Sequence, residues 1–216
     1  LELYGHGGDS LQGRYFGHHL HPLTASEVAR RALVPLDQVP ELPRDPVPGD
    51  LLDSLLALGG FPEPFLSASA KEAARWRLAY AARLVREDVR DLERIRELER
   101  LELLYDRLGA VAGGVLSINS LREDLEVAFE TARAWIAILE RLDAVFRVPP
   151  YGPPRIKSVK KEQKLYFWDW PRAESEGARF ENLVALHLLR LAHWAADVEG
   201  ERVELRYFRT RMGHEV

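Results

Sequence analysis

The chain has 216 residues, 46% of them apolar and 30% charged, with a formal net charge of −4. This balance suits a water-facing protein large enough for one sizeable core or two to three small ones. It excludes a polycation, and the absence of cysteine excludes disulfide and thiolate chemistry. No run approaches the ~20 apolar residues that span a bilayer, so no membrane partner is expected. Zero Cys, one Met and 13 Pro also suit a cytoplasmic, heat-adapted protein.

In chain order, Leu1 to Pro22 reads as the end of a strand followed by a loop and carries His6, His18, His19 and His21. Imidazole is the commonest transition-metal ligand. Here no carboxylate or thiolate has matching spacing, and histidines adjacent on a strand point to opposite faces, so no metal site is expected. Ser26 to Leu33 reads as a short helix capped by Thr24 or Ser26. Pro35, Pro40, Pro43, Pro46 and Pro48 mark a linker. Asp50 to Leu58 is helical and stops at Gly59-Gly60. Phe61-Pro62-Glu63-Pro64 reads as a rigid turn, and Lys71 to about Leu98 as a long charged helix with Trp76, Tyr80 and Leu84 on its apolar stripe.

From Leu101 the pattern changes. Leu101, Leu104, Leu108 and Val111 recur at helical spacing until Gly113-Gly114 breaks the helix. Ser120 and Glu123 fit a capping box for a short second helix. A third, from about Glu130, would bury Ala132, Trp135, Ile136, Leu139 and Leu142. Two extended runs follow, Val145–Val148 and Lys164–Trp168. Helix, helix, turn, helix and two strands is the order of a winged helix-turn-helix. After a polar loop, Ala178 to Ala196 is amphipathic, with Phe180, Leu183, Val184, Leu188, Leu191 and Trp194 expected inward. Val203–Phe208 reads as a strand, Thr210 to Gly213 as a hairpin turn, and Glu215-Val216 as the start of a returning strand that a longer polypeptide would complete.

The lysines carry the functional signal. Four of five, Lys157, Lys160, Lys161 and Lys164, fall inside the proposed wing, beside Arg147 and Arg155. A local basic patch on an acidic chain points to phosphate contacts with duplex DNA. The third helix adds Arg133, but Glu130, Glu140 and Asp143 share its outward side, so little base reading is expected.

Motifs in order carry a resemblance: Gly13-Arg14-Tyr15 with Pro22-Leu23-Thr24, Gly59-Gly60-Phe61-Pro62-Glu63, and Arg86-Glu87-Asp88-Val89-Arg90-Asp91-Leu92. Leu116-Ser117-Ile118-Asn119, Lys164-Leu165-Tyr166-Phe167-Trp168-Asp169, Phe180-Glu181-Asn182 and Tyr207-Phe208-Arg209 follow. This series resembles the C-terminal part of a family of bacterial and archaeal AAA-type P-loop ATPases. The resemblance implies an α+β, predominantly α chain in four parts: residues 1–27 a remnant of ATPase core, 28–100 a helical linker or lid region, 101–170 the winged helix-turn-helix, and 171–216 the start of an incomplete restriction-endonuclease-like α/β module. It implies that Arg14 faces nucleotide phosphates as a sensor or arginine finger, a task suited to a forked, permanently charged group. It also implies that Glu181 matches the glutamate on the first helix of a nuclease-like fold.

No G-x-x-x-x-G-K-[ST] occurs, so ATP and Mg2+ would belong to a longer polypeptide and no cofactor is expected for this chain alone. The expected function is the accessory, regulatory half of an AAA-type ATPase, associated with DNA through the wing. One alternative is a protein-interaction module coupling the state of a missing N-terminal ATPase domain to a partner or a second copy in a homo-oligomer. Another is a metal-dependent nuclease completed by residues beyond Val216.

Overall fold

The computed structural model describes residues 16–30, 46–85, 97–152 and 163–209. These are mainly helical, with one two-stranded antiparallel sheet, so the chain is α+β weighted to α. Among the described residues no helix is long and apolar enough to cross a membrane.

Helix α1 spans Ala25–Val28. Its cap is Thr24, whose side chain accepts from the Glu27 N–H while Glu27 reaches back to the Thr24 N–H, a full capping box. Helix α2 (Gly49–Leu58) buries Leu55 and Leu58 and ends at Gly59, whose φ of 87° only glycine adopts without strain. The Phe-Pro-Glu-Pro stretch is more than a turn: Pro62 pre-sets the first position of a one-turn helix, α3 (Pro62–Leu66). Helix α4 is Ala70–Arg83. Leu98, expected at the end of one long helix, instead opens α5 (Leu98–Val111).

Helix α5 buries Leu101, Leu104, Tyr105 and Leu108. Helix α6 (Ile118–Asp124) is capped by Ser117 rather than Ser120: the Ser117 side chain accepts from the Ser120 N–H. Only Ser120 has the glutamate of a capping box three residues on, but serine is a good N-cap in its own right, and Ser117 starts the helix three residues earlier. Helix α7 (Phe129–Arg141) buries Ala132, Trp135, Ile136, Ile138 and Leu139 as the period requires. Asp143, with φ 52°, turns the chain into β1 (Val145–Val148). This strand pairs antiparallel with β2 (Lys164–Phe167) in the register Val145↔Phe167 to Val148↔Lys164.

Both faces of the hairpin are covered. Val145, Leu165 and Phe167 face the core of α5, α6 and α7. Phe146, Val148 and Tyr166 face a second core, shared with Leu55, Trp168, Trp170, Leu183, Leu186 and Tyr207. Alternation along a strand gives each sheet face its own residues, and here both sets are apolar. After a single 3-10 turn (Trp170–Arg172), helix α8 (Glu176–Trp194) closes the second core. It buries Asn182, Leu183, Ala185, Leu186 and Ala192. Phe180, Val184 and Leu188, expected inward, are 48%, 39% and 46% exposed. The helix docks through its neighbouring stripe, from which Asn182 bonds the backbone of β2. The expected strand Val203–Phe208 forms backbone pairing only around Tyr207, which bridges Pro150 in parallel. The expected turn at Thr210 to Gly213 lies outside the described residues.

Candidate nucleic-acid interface

The hairpin holds the two ends of the connection in which most of the lysines fall. Its last pair, Val148↔Lys164, fixes both ends of the 149–163 connection one strand spacing apart. Tyr207 reinforces the outgoing end: its N–H donates to the Pro149 carbonyl (3.1 Å), and its carbonyl accepts from the Tyr151 N–H (2.7 Å). Arg155, Lys157, Lys160 and Lys161 belong to this connection and lie outside the described residues.

The other proposed phosphate contacts are engaged within the protein. Arg147 makes a forked ion pair with Glu140, Nε and Nη2 each 2.6 Å from a carboxylate oxygen. Arg133 pairs with Glu130 one turn back on α7, both side chains more than 60% exposed. Lys164 is 4% exposed. Its Nζ donates to Glu181 Oε1 at 2.9 Å, and the Tyr166 hydroxyl donates to the same oxygen at 2.9 Å. Lys164 is therefore a buried partner of Glu181 and not part of a free wing surface. A lone extended-strand lysine looks solvent-facing in a sequence; here α8 covers it.

Lys164, Tyr166 and Glu181 line a trough of about 260 Å³ with Val148, Val184, Leu188 and Tyr207. The Lys164 ammonium also lies 5.4 Å from the centroid of the Tyr207 ring. Next to Glu181, the Asn182 amide is fully buried and acts as a strand mimic. It accepts from the Phe167 N–H (2.8 Å) and donates to the Phe167 carbonyl (2.7 Å), pinning α8 to β2. The Phe-Glu-Asn motif thus holds a clamp. Arg14 lies outside the described residues.

Sequence reasoning missed a buried charge cluster beneath Gly59. Asp169 is 1% exposed and lies 3.2 Å from Arg77 Nε, an ion-pair distance whose geometry falls outside hydrogen-bond limits. Arg172 covers the Tyr105 ring at 4.1 Å and pairs with Asp106 at 2.8 Å. Burial pushes the Asp169 carboxyl up to about 6, against the pull of Arg77 and Arg172. Burial also lowers Arg77 and raises Tyr105 from their ordinary values. The available signal was a lone acid inside the aromatic run Tyr166-Phe167-Trp168-Asp169-Trp170.

Among the described residues no group of three or more His, Asp or Glu side chains could hold a metal ion. A family profile described as a domain of unknown function, DUF8612, matches residues 49–170. The chain belongs to that family. The matched span runs from α2 through Trp170, so it contains the helical unit and the whole hairpin. No curated protein and no solved structure matches the chain.

Proposed function

We propose that this DUF8612 chain is an accessory module that associates with duplex DNA as a winged helix, gripping phosphates with the hairpin connection rather than reading bases with α7. The observation that carries the reading is the hairpin register, which anchors a segment bearing Arg155, Lys157, Lys160 and Lys161 against a single Glu162. Cationic side chains on an anchored loop release counterions from DNA without needing a base sequence. Helix α7 has no Asn or Gln, and exposes Glu130, Arg133, Ala134, Ala137 and Arg141, of which Arg133 is paired with Glu130. Major-groove readers reach base edges with Arg, Asn or Gln.

In this reading the module serves a longer AAA-type ATPase, which would supply ATP and Mg2+ binding. Arg14 would face its nucleotide, and the region after Trp170 would open a nuclease-like fold. Glu181 would be the glutamate on the first helix of that fold, with one carboxylate oxygen accepting from Lys164 and Tyr166.

Fluorescence anisotropy with duplex DNA across a salt series tests the reading. The triple variant K157E/K160E/K161E should weaken binding at low salt and reduce the slope of log affinity against log salt by about 3. Equal affinity of native and variant chains overturns it.

A second reading, a protein-interaction module coupling an ATPase to a partner or to a second copy, is favoured by the outward side of α7. There Phe129 is 40% exposed, and Ala134 and Ala137 further along the helix are exposed as well. A chain that stays monomeric at every concentration would weigh against the second-copy form.

A further inference from the structure

Residues 16–24 lie against the C-terminal turns of α8 through a cluster of imidazoles. His21 Nε2 and His193 Nδ1 are 2.9 Å apart, so one ring donates to the other. His19 stacks on His193 with centroids 3.9 Å apart. The His19 Nδ1 and backbone N–H both lie 2.8 Å from Asp197 Oδ2. The His21 ring also stacks on Trp168 at 4.7 Å, and its Nδ1 is buried with no hydrogen-bond partner. These rings border a cavity of about 160 Å³ lined also by His18, Arg190, Trp194 and Asp197.

We infer that this cluster is an acid-sensitive clasp: the His21–His193 hydrogen bond holds residues 16–24 on α8 while the rings are neutral, and protonation of both rings releases the segment. A hydrogen bond between two imidazoles needs one bare nitrogen. Two imidazolium rings have none and repel each other. The groups facing the pair supply little negative charge. The N-terminal segment offers His18 and His19, and α8 offers Arg190, which Glu27 engages at 2.7 Å. Beyond α8, Asp197 is already held by His19. Asp143, after α7, interacts with His19 rather than with the pair.

Geometry and titration agree. Burial first, then His193, Arg190 and His19, push His21 down to about 3. Burial and His19 lower His193 as well. Released imidazoles titrate near 6.5. The open state therefore binds protons first, and the clasp is at full strength above about pH 6.5 and weakens as pH falls below it. Each released ring favours opening about tenfold per pH unit, so two rings give up to about a hundredfold. Opening removes the Leu23 N–H bond to the Gly60 carbonyl (2.7 Å) and the Ala25 N–H bond to His187 Nε2 (2.9 Å). The Leu23 amide is the reporter, because its acceptor is a carbonyl that does not titrate, whereas the Ala25 bond is also lost when His187 itself is protonated.

Hydrogen–deuterium exchange on the whole chain at pH 7.5 and 5.0, corrected for intrinsic exchange, tests the clasp. Protection of the Leu23 amide should fall at least tenfold at the lower pH while α5 and α7 keep theirs. In the double variant H21N/H193N, whose amides bond without titrating, protection should be the same at both values. Unchanged protection in the native chain, or an equal loss in the double variant, overturns the proposal. Should the double variant not fold, D197N provides the second measurement. Asn replaces a charged acceptor of the His19 backbone and ring by a neutral one and weakens the hold on the segment, so the loss should move to higher pH. Wholesale loss of Leu23 amide protection at pH 7.5 in D197N agrees with that shift, and an unmoved midpoint overturns the proposal.

Discussion

The two cores that share the β1–β2 hairpin differ in chemistry. The core of α5, α6 and α7 is filled by aliphatic residues, with Trp135, Tyr105 and Phe167 among them. The core under α8 is dominated by Phe146, Tyr166, Trp168, Trp170 and Tyr207. Around it sit the buried polar groups Thr24, Lys164, Asp169 and Asn182. An aliphatic core tolerates repacking, whereas buried polar groups demand specific partners. The first core therefore needs only volume and period. The second needs particular residues from distant parts of the chain, among them Phe61, Tyr166, Trp168 and the Asn182 beside Leu183.

The sharpest way to break this contrast is Trp170→Ala. Trp170 is fully buried, and its indole N–H donates to the Leu55 carbonyl at 2.8 Å. Its loss should cost about 3–5 kcal/mol in urea unfolding, at least as much as Leu139→Ala in the first core at about 2–5 kcal/mol. A smaller penalty for Trp170 would show that the second core is the looser one.

Next comes Asn182→Ala, which strips the partners from the Phe167 N–H and carbonyl inside the fold. Each unsatisfied group costs about 1–3 kcal/mol, so a loss of at least about 2 kcal/mol is expected by the same measurement. Gly60→Ala should lose about 1–3 kcal/mol through overpacking. An added Cβ would stand 2.4 Å from Trp170 and 2.6 Å from the Leu23 carbonyl oxygen.

A pH series sharpens the contrast further. With its carboxyl raised to about 6 by burial, Asp169 binds a proton in the folded chain more readily than in the unfolded chain, near 3.9. Its contribution is therefore fully present below about pH 4 and is lost as pH rises through about 6. Asp169→Asn should flatten that part of the stability profile in thermal melts. The smallest effect belongs to the surface: Arg133→Ala removes an exposed pair with Glu130 and should change stability by less than about 0.5 kcal/mol.

The first core was legible because its helices repeat every three to four residues. Ala132, Trp135, Ile136 and Leu139 are buried as their spacing requires, and β1 ends where its apolar run ends. The second core was not. Phe180, Val184 and Leu188 have the same helical period as Leu183 and Leu186, and long-range bonds such as that of Asn182 to β2, which periodicity does not show, go with the stripe that turns inward. Lys164 read as a wing lysine because nothing local announces Glu181, seventeen positions away. The imidazole cluster was invisible for the same reason: the partners of His19 and His21 are not sequence neighbours but His193, near the end of α8, and Asp197 just beyond it.

The closing pair Val148↔Lys164 has a consequence for tolerance to insertion. Because the closing pair fixes both ends one strand spacing apart, an unstructured insertion between them costs mainly loop-closure entropy, about 0.6 kcal/mol for each doubling of length. Length and charge there can therefore drift between homologous sequences, or be extended with a tag or an affinity handle, while the scaffold beneath stays intact.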